Sequence, residues 1–142
     1  MTSKWLLWAI LSAIFAALTA ILSKLGLRNV NPDLAQLIRT GIVMAAVIAL
    51  NAGRERLAEA ASLSQDDWKF LILAGFATAA SWICYYRALA AGYASQVAVV
   101  DKLSVPLVAV AAVFVLGEKL SIAAWFGVLM MFCGAAMVAV NK

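Results

Sequence analysis

Four ionisable side chains lie inside, or at the very end of, stretches that are otherwise apolar: Arg39, Arg87, Asp101 and Lys102. An ionised side chain within a membrane-spanning helix costs about 2.5–3.5 kcal/mol on insertion scales, so it usually faces a bundle interior or a water-filled cavity. Helical rise places Arg39 about 8–9 Å, and Asp101 about 10–12 Å, from one end of their stretches. Arg87 lies near the same end of its own stretch. We therefore predict that the four residues share one layer and handle a solute or an ion.

The expected pairing of these charges follows from helical geometry. Side chains of adjacent residues point about 100° apart on a helix, so Asp101 and Lys102 are not expected to face each other. We expect Asp101 to pair with Arg39 or Arg87 of a neighbouring helix, and Lys102 to face a cavity or a partner subunit. The alternative is that Asp101 forms a salt bridge that serves packing alone.

Pro106 predicts a flexible point in the same stretch. Proline has no N–H, so the carbonyl of Lys102, four residues earlier, loses its helical partner. A weakened helix beside charged groups is typical of a segment that handles a solute or an ion. The alternative is that Pro106 only kinks the helix to fit the bundle.

Two other helix faces carry candidate residues. Trp82 and Tyr86 share one face of the third stretch, and we predict that they border the solute path; core packing is the alternative. Ala123, Gly127 and Gly134 form a face of small residues on the fifth stretch. Small residues let two helices approach closely in a membrane, so we predict a dimer seam at this face.

Five apolar stretches position these residues, and each meets or approaches the roughly 20 residues that a helix needs to span a bilayer. They are Trp5–Ser23, Leu34–Leu50, Phe70–Tyr86, Ala94–Leu116 and Ile122–Val140. Hydrophobic residues make up 66% of the chain and charged residues 13%, whereas a soluble domain is about 45–50% apolar. We predict an all-α integral membrane protein, with residues 1–142 forming one domain, a bundle of five transmembrane helices.

Composition also bears on the class of function. The net charge of +4 fits the cationic loops of a membrane protein, so no nucleic-acid partner is expected. The chain has no histidine, and its cysteines, Cys84 and Cys133, lie in apolar stretches. A metal site is therefore not expected. The sequence shows no glycine-rich phosphate loop and no nucleophile–base pair, and we expect a protein that is not an enzyme and uses no cofactor.

The connections predict where helices start. Asn31-Pro32 provides an N-cap and a first helical residue for the second helix. Ser64-x-x-Asp67 predicts a capping box ahead of the third helix. Residues 51–67 form the one long connection, and they fit either a short interfacial helix or a solvated loop.

Loop charges give a weak topology signal. Cations number five on the N-terminal side and three on the opposite side: Lys4, Arg54, Arg56, Lys69 and Lys119, against Lys24, Arg28 and Lys142. The positive-inside rule favours a cytoplasmic N-terminal side, but the bias is small enough to leave insertion in both orientations open.

Three segments of the C-terminal half form a recognisable pattern. They are Tyr86-Arg87-Ala88-Leu89 with Gly92-Tyr93-Ala94-Ser95-Gln96-Val97-Ala98, Pro106 with Val115-Leu116-Gly117-Glu118-Lys119-Leu120-Ser121, and Trp125-x-Gly127 with Gly134. The pattern resembles the EamA-type domain of the drug/metabolite transporter superfamily. Asp101-Lys102-Leu103-Ser104 resembles the half-length bacterial and archaeal branch of that superfamily.

The resemblance implies a function and an assembly. Most EamA-type transporters have ten helices in two inverted five-helix repeats, so a five-helix chain implies a homodimer, with an antiparallel arrangement favoured. The first helix has no acidic residue, which sets the chain apart from the small multidrug resistance branch. We expect a protein of the bacterial or archaeal cytoplasmic (inner) membrane that moves a small metabolite or drug-like solute by alternating access.

Each charged candidate then has an expected role. Arg39, Arg87 and Lys102 would contact an anionic or zwitterionic group of the solute. Asp101 would be their counter-ion or a proton-coupling site. The alternative from another class is a non-transporting assembly subunit, in which the same charges only lock the packing of the helices.

Overall fold

The structure is a computed structural model that describes residues 3–52 and 62–140, and throughout these residues the regular elements are α-helices. The helices are α1 (Ser3–Gly26), α2 (Pro32–Ala52), α3 (Gln65–Ala91), α4 (Ala94–Asp101), α5 (Ser104–Val115) and α6 (Ile122–Val140). They make five segments long and apolar enough to cross a membrane, with α4 and α5 together forming the fourth. The predicted all-α membrane fold with five spans is confirmed.

Two of the predicted helix starts are observed in atomic detail. The side-chain Oδ1 of Asn31 accepts a hydrogen bond from the backbone N–H of Asp33 at 2.9 Å, and α2 begins at Pro32. Ser64 and Asp67 form the reciprocal bonds of a capping box. The Asp67 N–H donates to Ser64 Oγ, and the Ser64 N–H donates to Asp67 Oδ2, each at 3.1 Å. The predicted interfacial helix of the long connection falls largely on residues 53–61, outside the described residues.

The turn between α5 and α6 uses a glycine and a serine. Gly117 has φ of +68°, a left-handed conformation that L-residues with a Cβ seldom adopt and that commonly ends a helix. Beside it, the Glu118 N–H donates to the carbonyl of Ala112 at 3.2 Å. Ser121 Oγ then accepts the N–H of Ala124 at 3.2 Å and caps α6. These local bonds satisfy backbone groups that a helix end leaves without partners.

The fourth span is broken, because α4 ends at Asp101 and α5 begins at Ser104. At the break, each N–H donates to the carbonyl three residues earlier: Lys102 to Val99 at 3.1 Å, and Leu103 to Val100 at 3.0 Å. The carbonyl of Lys102 was expected to lose its partner to Pro106, yet it accepts the N–H of Val105 at 3.0 Å. The chain therefore tightens into i→i+3 bonds just before the proline, which is how the missing N–H is accommodated.

Contacts divide the chain into two compact units. Unit 1 comprises Met1–Ile21 and Gly92–Lys142, and unit 2 comprises Leu22–Ala91. Within unit 1, α6 packs against α4 and α5; within unit 2, α2 packs against α3.

Little of the apolar side-chain surface is enclosed by the chain itself. In the described segments six residues are buried: Ala20, Tyr86, Leu89, Pro106, Ala112 and Ala135. Large apolar side chains are exposed on every span. A water-soluble domain would enclose such residues, so this outward distribution is that of a protein whose helices face lipid.

Candidate functional site

An arginine of α2 lies against two aromatic rings of α3. The guanidinium carbon of Arg39 is 4.6 Å from the centroid of the Trp82 ring and 5.9 Å from that of Tyr86. Trp82 and Tyr86 are four residues apart, so helical periodicity places both rings on the face of α3 that Arg39 meets. We call these three residues the arginine–aromatic cluster. The structure brings together three of the residues predicted to border a solute path, and that role stays a prediction.

The ring of Tyr86 is held from a second direction. Tyr86 is only 3% exposed, and its hydroxyl shares a hydrogen bond with Ser23 Oγ of α1 at 3.0 Å. The ring of Tyr85 meets it edge-on, with centroids 6.2 Å apart. A buried ring with a bonded hydroxyl has one position, so Tyr86 gives Arg39 a fixed surface.

Arg39 makes no ion pair or hydrogen bond with another described residue of unit 2. The salt bridges found there belong to Lys69 and Arg87, and the contacts of Arg39 are with rings. A guanidinium carries five N–H donors and cannot lose its charge in a protein. Arg39 is half-buried, so these donors are available to a molecule from outside the chain.

Arg87, the other predicted site arginine, has a partner that the sequence did not reveal. Arg87 Nε and Nη2 donate to the two carboxylate oxygens of Asp33, each at 3.2 Å. Within unit 2, Arg87 therefore has Asp33 as its partner, and the predicted pairing of Asp101 with Arg39 or Arg87 stays a prediction. Asp33 lies in the first turn of α2, where a negative charge is favoured by the helix dipole. The sequence could have suggested this pair, because α2 begins on the side of the membrane where α3 ends.

The prediction that Asp101 and Lys102 do not face each other is wrong. Lys102 Nζ lies 3.3 Å from Asp101 Oδ2. The separation of about 100° applies to a continuous helix, but α4 ends at Asp101 and Lys102 is its C-cap residue. The flexible four-carbon stem of Lys102 can reach back at that point. Within unit 1, Asp101 thus has the adjacent lysine as its partner.

A third cation was misjudged as a plain loop charge. Lys24, in the last turn of α1, donates from Nζ to the carbonyl of Leu89 at 2.6 Å. Leu89 is fully buried and lies in the last turn of α3. The final carbonyls of a helix lack intrahelical partners and attract cations. Lys24 therefore ties the end of α1 to the end of α3.

The remaining predicted residues lie in unit 1. Pro106 is buried within the first turn of α5. Ala123, Gly127 and Gly134 are exposed on α6, and a Cβ added to either glycine would meet no atom within 4 Å. The small-residue face is therefore open in the chain as described, and the dimer seam stays a prediction.

The fold and the site define a class: a membrane protein of several spans that keeps charged groups inside them. The EamA-like transporter family matches residues 3–140, and the chain belongs to that family. A protein of Sinorhizobium sp. named "uncharacterized transporter in cobO 3'region" is 44% identical over 140 residues, which cover 99% of this chain and 99% of that protein. No solved structure matches.

The comparisons confirm the family resemblance seen in the sequence. They also bear on size, because the Sinorhizobium protein matches this chain nearly from end to end. Another protein thus has about the same length as this five-span chain. A multi-span membrane transporter is the function class that the family and this relative support.

Proposed function

We propose that this protein moves a small metabolite or drug-like solute across the cytoplasmic (inner) membrane by alternating access, as a homodimer. Membership of the EamA-like transporter family supports transport. The observation that carries the mechanism is the break in the fourth span between Asp101 and Ser104. Discontinuous helices are a recurring feature of transporter binding sites and of their moving parts.

The break can change shape at low cost. The N–H groups of Lys102, Leu103 and Val105 bond carbonyls three residues back instead of four, and such bonds have poorer geometry than those of an α-helix. Pro106 prevents the ladder from closing, because it has no N–H to donate. Motion of α5 relative to α4 therefore needs few bonds to be broken.

The paired charges at the break suit a coupling role. Asp101 is the acidic residue there, and Lys102 is its neighbour at 3.3 Å. Protonation of Asp101 would remove this ion pair and free the Lys102 ammonium. An Asp101→Asn variant, which cannot exchange a proton, should fold normally and lose coupled transport.

The proposed dimer places the α6 faces of two copies together. Ala123, Gly127 and Gly134 allow close approach, and their face is open in the chain. An antiparallel copy would supply the inverted repeat that the family resemblance calls for, and the weak loop-charge bias permits insertion in both orientations.

A second candidate function is a non-transporting assembly subunit. The observation in its favour is that Arg87 and Lys102 are both neutralised by carboxylates, as expected of charges that serve packing. This candidate predicts no solute movement and no effect of Asp101→Asn beyond stability.

Uptake into proteoliposomes tests the proposal, with a matched pair of proline variants. The chain has two prolines, and Pro32 begins α2 while Pro106 follows the break. Uptake of the transported solute should be saturable. Pro106→Ala should slow this uptake several-fold, because it restores a backbone N–H donor, whereas Pro32→Ala should leave the rate unchanged. Absence of uptake in the wild type would favour the assembly subunit. Equal uptake rates for both proline variants would show that the break in the fourth span plays no part in transport.

A further inference from the structure

We infer that the solute carries a carboxylate or phosphate group and that Arg39 binds it. This inference rests on the proposed transport function and narrows the solute class. Two other cations of unit 2, Arg87 and Lys24, already have partners. Arg87 is matched by Asp33, and Lys24 donates to a buried carbonyl.

Arg39 differs from both because its contacts are with aromatic rings, and no described residue of unit 2 forms an ion pair or hydrogen bond with it. A guanidinium on an aromatic face is attracted by the negative ring quadrupole. A contact with a ring forms no conventional hydrogen bond, so the five N–H donors of the guanidinium keep their capacity for an oxygen acceptor. The rings of Trp82 and Tyr86 thus hold Arg39 in place without consuming its hydrogen-bonding capacity.

The edge of a guanidinium selects its ligand by shape and charge. Its parallel N–H groups match the two oxygens of a carboxylate or of a phosphate, and such bidentate pairs are stronger than neutral hydrogen bonds. Because Arg39 is half-buried, the attraction is screened less than it would be in bulk water. A cationic solute would be repelled at the same place, and a neutral one would gain less.

Two sources share this chemistry: the oxyanion of a dissolved solute and the phosphate of a lipid headgroup. We assign the solute. In the test, proteoliposomes are incubated with an equimolar mixture of cationic, neutral and anionic metabolites, and the retained solutes are identified by mass spectrometry. In parallel, native mass spectrometry of the detergent-solubilised protein counts bound phosphatidylglycerol.

The variants isolate the role of the guanidinium. Arg39→Gln removes the positive charge and the bidentate N–H donors of the guanidinium, whereas Arg39→Lys keeps the charge and loses the bidentate geometry. Arg28→Gln is the matched control, because Arg28 is an exposed loop residue and its loss changes the net charge equally. Helicity and elution volume establish that each variant is folded.

The expected result is that the retained solutes carry a carboxylate or a phosphate. Loss of a charge-assisted pair predicts that Arg39→Gln lowers their retention on the order of tenfold to a hundredfold. Arg39→Lys should lower it less, and Arg28→Gln by under about twofold.

Three results would overturn the inference. Retention of neutral or cationic solutes alone, or anion retention that Arg39→Gln leaves unchanged, would refute it while transport stands. A loss of bound phosphatidylglycerol in Arg39→Gln with unchanged retention would assign Arg39 to lipid. If wild-type protein retains no solute, the proposed transport function fails and this inference fails with it.

Discussion

Arg39 and Trp82 should be energetically coupled, and a double-mutant cycle measures that coupling. The perturbations are Arg39→Met, which keeps an unbranched apolar stem without the charge, and Trp82→Leu, which removes the ring. The guanidinium lies 4.6 Å from the ring centroid, well inside the limit of about 6 Å for an attractive cation–π contact. The pair should therefore stabilise the folded protein by more than the two side chains do separately.

The magnitude follows from the burial of Arg39. Cation–π pairs contribute about 0.5–1 kcal/mol when exposed and about 2 kcal/mol when desolvated. Arg39 is half-buried, so we expect a coupling free energy of about 1 kcal/mol. The assay is unfolding in mixed micelles with increasing mole fraction of sodium dodecyl sulfate, followed by circular dichroism, for the wild type, both single variants and the double variant.

Trp68 provides the matched control. It lies on the same helix as Trp82, about 21 Å away along the α3 axis, and it is partly exposed. Substitutions at separated sites add within about 0.3–0.5 kcal/mol, so a cycle of Arg39→Met with Trp68→Leu should show no coupling. Additive effects in the Trp82 cycle, or equal coupling in both cycles, would refute the view that Trp82 holds Arg39.

Three further predictions concern the free energy of unfolding in the same assay. Lys24→Met should lower it by about 1.5–3 kcal/mol, because a charge-assisted bond to a buried carbonyl is lost. Lys69→Met should lower it by under about 0.5 kcal/mol, because the ion pair of Lys69 is exposed, and equal losses for the two variants would contradict this. Thr40 has a buried hydroxyl without a hydrogen-bond partner in the described residues, so Thr40→Val should stabilise by about 1 kcal/mol, and a loss of stability would show that the hydroxyl is used. Gly117→Ala should lower the free energy of unfolding by about 1 kcal/mol, because the φ of Gly117 is +68°. Gly26→Ala should leave it unchanged, because a Cβ added to this last residue of α1 meets no atom within 4 Å.

The helices and their ends were largely predictable from the sequence. Spans follow from runs of apolar residues near the length that a bilayer requires, and caps follow from local side-chain chemistry. The capping box of Ser64 and Asp67 needs only three residues of spacing to form. Local rules therefore recovered the five spans and two of their starts.

The partners of the charges were not predictable in the same way. Position along a helix gives the depth of a side chain but not the neighbour it meets, which depends on how helices pack. Asp33 lay just outside the second apolar stretch, so its bond to Arg87 was missed. Lys102 reached Asp101 because the helix ends between them, and a pattern that assumes a continuous helix cannot show that break.

The arginine–aromatic cluster falls between these cases. Trp82 and Tyr86 were predictable as one face because they are four residues apart. Their contact with Arg39 joins α2 to α3 and is a product of tertiary packing. All three residues were predicted from the sequence as site residues, and the structure shows that Arg39 contacts the two rings.

Water access to the break in the fourth span separates a transport path from a structural ion pair. The measurement is the reaction of Lys102→Cys with a membrane-impermeant thiol reagent in sealed vesicles, in a background where Cys84 and Cys133 are changed to serine. A water-filled path predicts that the cysteine at this position reacts, and that a transported solute slows the reaction. A cysteine that stays unreactive while the protein remains folded would contradict transport through this part of the molecule.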